Sequence, residues 1–217
     1  MNRLRVDRAP AGAHLPRMRT TFLLLPLLLT TGATRLHAQT EYYARVGVVG
    51  ANDLLRDVIV NRITVRQSVA PMFAVGGSVP LGARGFRAGA EATFASGGFH
   101  SNEAGARTDL GTIRTGTLLL DLEGPILSSL RWRVGLGGIK YFPKNDTGIF
   151  LEGGSLRLLA GAGLDFYHPV LPRWDLMTSL RYDFHRFTTD ELDRRGFSQT
   201  QGVSRVSLSV GLSRAAR

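Results

Sequence analysis

The sequence has 217 residues, a formal net charge of +10, no cysteine and a mean hydropathy near zero. A chain of this length forms one domain or two small ones. The lack of cysteine excludes disulfides and cysteine-based metal sites, and the hydropathy is too high for a disordered chain.

The N-terminus has the pattern of a secretory signal peptide. Arg17 and Arg19 supply a positive flank, residues 20–33 form an apolar run, and Ala38 is a small residue that permits cleavage before Gln39. The apolar run is shorter than the roughly 20 residues that a membrane-spanning helix needs. We therefore expect a cleaved signal rather than a transmembrane helix.

Cleavage would separate a signal over residues 1–38, with Met18 as an alternative start, from one domain over residues 39–217. Half of the basic excess leaves with the signal, because the signal and the mature chain carry +5 each. The high net charge therefore gives no indication of nucleic-acid binding. A secreted chain without cysteine, and without a later apolar run of about 18 residues, is predicted to be a bacterial periplasmic, outer-membrane or released protein.

Eight runs of alternating apolar and polar residues follow Gln39 and predict β-strands. Such alternation is expected where successive side chains of a strand point to opposite faces. Most runs reach the length of about 9 to 11 residues that a tilted membrane strand needs. The runs are residues 41–51, 65–81, 86–95, 111–122, 130–142, 155–167, 174–187 and 202–214.

The connections between these runs alternate strictly between short and long. The short ones, GARG, EGPILSSL and HPVLPR, are rich in Gly or Pro, and the long ones are polar and lie around residues 52–64, 96–110, 143–154 and 188–201. An up-and-down barrel with short periplasmic turns and longer external loops has this pattern, whereas a soluble sandwich has no reason for it. The sequence therefore predicts an all-β fold: an eight-stranded antiparallel up-and-down transmembrane β-barrel.

The segment LRYDFHRF, residues 180–187, indicates which face of the strands meets lipid and which faces the lumen. Large apolar residues alternate there with Arg181, Asp183 and His185, and we interpret the last two as a pair inside the lumen. The interior of an eight-stranded barrel is only just wide enough for side chains, and small residues on the polar faces leave room for charged ones. The apolar face is therefore predicted to meet lipid, while the reverse orientation would make a soluble lipocalin-like binder.

The inward-facing charges are predicted to form Arg–carboxylate pairs that plug most of the lumen, because a lone buried charge costs several kcal/mol. Seven arginines face four carboxylates in this set. That surplus leaves open a narrow anion-preferring pore or a barrel for the passage of a small hydrophobic or anionic ligand. The predicted lumen residues are Arg45, Arg87, Glu91, Asp121, Arg131, Arg133, Arg157, Asp165, Arg181, Asp183, His185 and Arg205.

Aromatic residues near the strand ends are predicted to form girdles at the two membrane interfaces. Those near the short turns are Tyr42, Phe86, Trp132, Phe166 and Trp174, and those near the long loops are Phe94, Tyr141, Phe142, Phe184 and Phe187.

In its signal peptide, its eight strand patterns, its alternating loop lengths and its closing strand, the chain resembles the small outer-membrane barrels. That family includes the OmpA transmembrane domain and OmpX-like proteins, and the resemblance covers residues 40–214. Two features depart from it. Such proteins usually end on an aromatic residue, whereas this sequence ends LSRAAR, and Pro71 would remove a ladder donor within the second run. A bulge or a later strand start is expected there.

The resemblance implies a bacterial outer-membrane location in a Gram-negative-type envelope. It favours a structural or interaction role, in membrane integrity or in adhesion through the four long loops. The expected partners are outer-membrane lipid and an external protein or surface, with no nucleic acid, and the chain is expected to be a monomer. Residues 58–67 are strand-like and are predicted to extend the second strand as a protruding edge, suited to strand addition.

One segment partly resembles an enzyme motif. GFHSNEAG places His100, Ser101 and Asn102 beside Glu103, and lipid A deacylases of the outer membrane carry a His-x-Ser-Asn motif. Here His and Ser are adjacent, and neighbouring strand residues point to opposite faces, so a polar loop without catalytic residues is expected. No metal or cofactor is predicted, because no histidine has metal-ligand spacing and no phosphate-binding glycine motif occurs.

Overall fold

The computed structural model describes residues 40–58, 62–82, 84–103, 105–144, 156–188, 194 and 201–215. The predicted signal peptide lies outside these residues. No helix in the described part is long and apolar enough to cross a membrane. The strands of this part are β1 (Glu41–Ala51), β2 (Asp53–Val58), β3 (Arg62–Gln67), β4 (Ala70–Pro80), β5 (Arg87–Glu103), β6 (Ala106–Leu127), β7 (Leu130–Pro143), β8 (Arg157–Leu171), β9 (Trp174–Phe187) and β10 (Gln201–Ala215).

Eight of these strands form a closed antiparallel ring in the order β1, β10, β9, β8, β7, β6, β5, β4, with β4 returning to β1. The first strand pairs with the last along the whole of β1, from Glu41 with Ala215 to Ala51 with Arg205. Closure satisfies the backbone hydrogen bonds that an open edge would leave exposed to lipid. The predicted eight-stranded barrel is confirmed.

The other two strands form a hairpin that adds to the ring at its long-loop end. β3 pairs on one side with β2 and on the other with the end of β5, from Phe99 to Glu103. β5 and β6 continue their own pairing to a tight turn between Glu103 and Ala106. We call β2, β3 and the ends of β5 and β6 the projecting sheet.

The projecting sheet corrects two expectations. The connections around residues 52–64 and 96–110 were predicted to be polar loops, but their described residues are largely strand. Polar residues suffice there because these strands extend beyond the apolar band. The segment 58–67 was predicted to be a protruding edge, but β3 is paired on both sides. Within the described residues, the side of β2 away from β3 has no strand partner.

The strand limits agree with the sequence in β1 and β9, differ at one or both ends in the other ring strands, and include an interruption in the second predicted run. That run is interrupted at Ser68 and Val69, so that β4 begins at Ala70, next to Pro71. Pairing of β4 with β5 starts only at Met72. A later strand start therefore accommodates the proline.

The alternation in β9 has the predicted orientation. Leu180 is 50% exposed on the outer face, whereas Arg181 is 4% and His185 is 1% exposed inside. The other ring strands have the same orientation: most of their large apolar side chains point outward, and every described carboxylate of the ring strands outside the projecting sheet points inward. Outward apolar residues include Val46, Phe73, Phe94, Leu120, Leu136, Leu164, Leu180 and Leu208. The lipocalin-like alternative requires the reverse and is not observed.

The sequence predicted an interior filled mostly by charged pairs, but part of the interior is apolar. An apolar plug fills its long-loop end, and three residues of the projecting sheet pack onto it. Two of its members, Tyr141 and Phe187, were predicted to lie in the outer girdle, but they are 1% and 2% exposed and point inward with Ile139 and His185. The plug consists of Leu54, Val65, Phe99, Ile113, Leu119, Ile139, Tyr141, Leu159, Phe187 and Val203.

Candidate functional site

The charged interior of the barrel is the candidate site. All twelve predicted lumen residues lie on the inner face of ring strands. Three of them, Arg87, Arg131 and Arg157, are half-buried near the ends of the barrel. The buried ones are Arg45, Glu91, Asp121, Arg133, Asp165, Arg181, Asp183, His185 and Arg205.

Arg133 on β7 lies among four carboxylates. Its Nε donates to Asp165 at 2.7 Å, and its Nη2 lies 3.2 Å from Glu123. Its Nη1 lies 3.2 Å from Glu91 and 3.4 Å from Asp121. The guanidinium therefore connects β7 to β5, β6 and β8, and its burial is matched by surrounding negative charge.

Arg181 on β9 bridges two carboxylates across a gap made by two glycines. Its Nε donates to Asp183 at 2.8 Å and its Nη2 donates to Asp121 at 3.2 Å. Asp121, Gly135, Gly161 and Asp183 are successive register partners across four strands. A Cβ at Gly135 would overlap the Asp121 carboxylate, and one at Gly161 would overlap Asp183. The glycines thus provide the space that the guanidinium occupies.

Glu91 on β5 is the shared acceptor at the centre of the network. Arg45, Arg133 and Arg181 all form ion pairs with it, and the hydroxyl of Tyr43 donates to it at 2.9 Å. Its side chain is 1% exposed. Three cations and a hydroxyl around one carboxylate connect opposite walls of the barrel.

Glu41 was missed by the sequence analysis. It accepts from Arg131 at 2.8 Å and from Ser213 at 2.7 Å, and it lies 3.8 Å from Arg87. It joins the first strand to the last near the short turns. Its position two residues before Tyr43, on the face that also holds Arg45, was a signal that could have identified it.

Glu123 was missed as well, although it lies two residues after Asp121 on the same strand face. Asp175 on β9 also lies on the inner face, half-buried in line with Met177 and Ser179. With these three carboxylates included, seven inward arginines face seven carboxylates, and the arginine surplus that suggested an anion-preferring pore disappears.

Two inward arginines for which no described carboxylate forms an ion pair lie towards the long loops. Arg205 reaches across the lumen, where its Nη2 donates to Thr115 at 3.2 Å on the opposite wall. Its Nε and Nη1 have no hydrogen-bond partner among the described residues, and no described carboxylate forms an ion pair with it. Arg157 donates to the carbonyl of Thr188 at 3.0 Å. The interior thus has a paired layer towards the turns, with Arg205 between that layer and the plug and Arg157 level with the plug residue Ile139.

The hydrogen-bond partners of two histidines, His185 and His100, bear on the predicted lumen pair and on the enzyme motif. Asp183 accepts from Arg181, while His185 forms a hydrogen bond of 2.8 Å with Tyr141, so the expected His185–Asp183 pair is wrong. His100 lies on β5 in the projecting sheet, 3.4 Å from Arg107. The described residues contain no group of three or more potential ligands arranged to hold a metal ion.

Comparison with known proteins gives a match by structure alone. No family model and no curated protein sequence matches the chain. Neisserial surface protein A (NspA) is 12% identical, with 81% of this chain and 96% of that chain covered and a TM-score of 0.51. The outer membrane protein OprG from Pseudomonas aeruginosa is 13% identical, with coverages of 82% and 97% and a TM-score of 0.46. Ail of Yersinia pestis, in complex with the heparin analogue sucrose octasulfate, is 15% identical, with coverages of 82% and 99% and a TM-score of 0.45.

The fold is that of a small eight-stranded outer-membrane β-barrel. The closed ring, the apolar outer face and the likeness to NspA agree on this class. A β-barrel whose outer face is apolar and whose charges are buried inside is stable only where lipid covers it. The outer-membrane location expected from the sequence follows from these features.

Proposed function

We propose that this barrel acts at the cell surface through its projecting sheet, in adhesion or in the stabilisation of the envelope, without catalysis and without conducting solutes. The observation that carries the proposal is a contrast between the two parts of the molecule. The lumen is filled by side chains, while regular structure extends beyond the ring at the long-loop end.

Two layers argue against passage through the lumen. Arg133 and Arg181 cross the barrel with their carboxylates, and the plug covers them from the long-loop end. Tyr141, Phe187 and Leu159 in that plug are each at most 2% exposed. A pore would require both layers to move, and the inward arginines that suggested one are matched in number by inward carboxylates.

The projecting sheet supports an interaction role. Within the described residues, β2 has no strand partner on its outer side, and residues 106–109 of β6 pair only with β5. Free strand edges at the cell surface accept an added strand from a partner through backbone hydrogen bonds. The exposed side chains Glu103, Arg107 and Asp109 at the tip of the hairpin would contribute polar contacts.

The test compares cells that display the full chain with cells that display a variant in which residues 101–108 are replaced by a two-residue turn. Attachment to immobilised extracellular-matrix proteins and cell-to-cell aggregation are measured. We expect the shortened hairpin to lose attachment while the barrel remains folded, since β5 and β6 also pair within the ring.

Conductance of the refolded full chain in a planar bilayer tests the other half of the proposal. We expect no stepwise current. Steady anion-selective conductance would overturn the closed lumen, and attachment that is identical with and without the hairpin tip would overturn the interaction role.

A further inference from the structure

In the described part of the chain, the outer face of the ring outside the projecting sheet carries charges of one sign only. Outside the projecting sheet, the described outward positions of the eight ring strands hold four cations and no carboxylate. Arg214 lies near the short turns and stacks on Trp174. The other three, Arg114, Lys140 and Arg186, lie near the long loops, and we call them the outer basic cluster.

The outer basic cluster lies at one level of the barrel. Arg114 follows Ile113, Lys140 follows Ile139 and Arg186 precedes Phe187, and these three neighbours all belong to the plug inside. Arg114 also pairs in register with Phe142, two residues beyond Lys140. The cations are therefore grouped where the apolar outer band ends.

Two leucines lie between the cations. Lys140 on β7 and Arg186 on β9 flank the start of β8, where Leu156 and Leu158 are 70% and 77% exposed. Strands in a sheet are about 4.8 Å apart, so the backbones carrying the two cations are separated by roughly 10 Å. The Lys140 ammonium lies 5.4 Å from the centre of the Phe142 ring. Apolar surface thus continues from the lipid band up to a pair of cations.

We propose that the outer basic cluster, together with Leu156 and Leu158, is a binding site for an anionic phosphate-bearing lipid in the leaflet at the long-loop end. The phosphate accepts hydrogen bonds from Lys140 and Arg186, and the acyl chains cover the leucines. This proposal depends on the barrel crossing the membrane and not on the surface role above, so either can fail alone.

The chemistry favours an anionic lipid over a zwitterionic one. Guanidinium and ammonium groups bind phosphate through charge-assisted hydrogen bonds. A zwitterionic headgroup brings its own cation to a surface where no described carboxylate would pair with it. Lipid-facing Arg and Lys are costly at the middle of a bilayer but cost little at its interface. The location of the cluster at the edge of the apolar band therefore suits headgroup binding.

The experiment uses the full-length mature chain, refolded in a neutral detergent. Native mass spectrometry measures the affinity for phosphatidylglycerol and for phosphatidylcholine with the same acyl chains. We expect selective binding of phosphatidylglycerol by the wild type. In Lys140→Gln/Arg186→Gln, that affinity should fall about fivefold per cation removed, or roughly twenty-five-fold in total.

The matched control is Arg84→Gln/Arg107→Gln, which removes two exposed arginines from a turn and from the projecting hairpin. Its phosphatidylglycerol affinity should stay within about twofold of the wild type. A heat-dependent shift on a gel verifies that each variant is folded. If the double variant does not fold, Lys140→Gln alone should show the fivefold loss.

Two results would overturn the site. Equal affinity of the wild type for the two lipids would remove the selectivity on which the proposal rests. Selective binding that survives the loss of Lys140 and Arg186 would assign the lipid to another surface, such as the one around Arg214.

Discussion

Arg133 and Arg205 face the same lumen in opposite surroundings. Arg133 has four carboxylates within 3.4 Å, whereas Arg205 has one hydrogen bond, to Thr115. Removing one partner of a buried pair leaves the other charge uncompensated, while removing an unpaired buried charge relieves a desolvation cost. The two arginines should therefore differ in what they contribute to stability, although both are 2% exposed.

We predict that Arg133→Met destabilises the barrel by roughly 3–5 kcal/mol and that Arg205→Met changes its stability by about 1 kcal/mol or less, in either direction. The free energy of unfolding, measured by urea titration of protein refolded into lipid vesicles, provides the comparison. Each variant is the other's control, since both replace a buried arginine by methionine. An equal loss in the two would contradict the asymmetric pairing.

Gly161 provides the second prediction at this scale. A side chain there would enter the space in which Arg181 meets Asp183. We predict that Gly161→Val destabilises the barrel by about 1–3 kcal/mol, because it overpacks the interior and displaces a buried ion pair. Gly50→Val is the control, since the nearest atom to a Cβ at Gly50 is a Val69 methyl at 3.7 Å. Equal urea midpoints for the two variants would show that the interior tolerates the added volume.

The sequence predicts which face a residue occupies better than it predicts the residue's partner. Two-residue periodicity indicated the inward position of Arg205 and Asp183, which are register neighbours. It could not indicate that Asp183 binds Arg181 on its own strand while Arg205 reaches Thr115 on the far wall. Contacts across a lumen depend on side-chain length and strand tilt, and neither is encoded in a local pattern.

At the scale of elements, the strand limits were predicted best for strands that have one face in lipid. The strand ends that project into water and the plug were not predicted. Strands β1 and β9 have the predicted limits because lipid requires an apolar residue at every second position. The ends of β5 and β6 project into water, and their polar residues resemble a loop even though they are paired. The plug was missed for a related reason. Its burial depends on Leu54, Val65 and Phe99, which belong to the projecting sheet and are distant from the rest of the plug along the sequence.

At the scale of the whole molecule, ring closure depends on the last strand. β10 pairs with β9 on one side and with β1 on the other, so its removal would expose two edges at once. It would also remove Ser213, which binds Glu41. Unpaired backbone groups in lipid cost several kcal/mol each, so a barrel that has lost β10 is not stable in a membrane.

We predict that the full mature chain changes its apparent size on a gel when it is boiled, because a closed barrel keeps its structure in detergent until it is heated. A variant lacking residues 201–215 should run identically with and without boiling and should be degraded by added protease. The variant with the shortened β5–β6 hairpin is the control and should keep the shift, because its ring pairing is intact. A truncated chain that still shifts would mean that the other ring strands close without β10. A full chain that never shifts would remove the closed barrel on which the lumen, the plug and the outer basic cluster all depend.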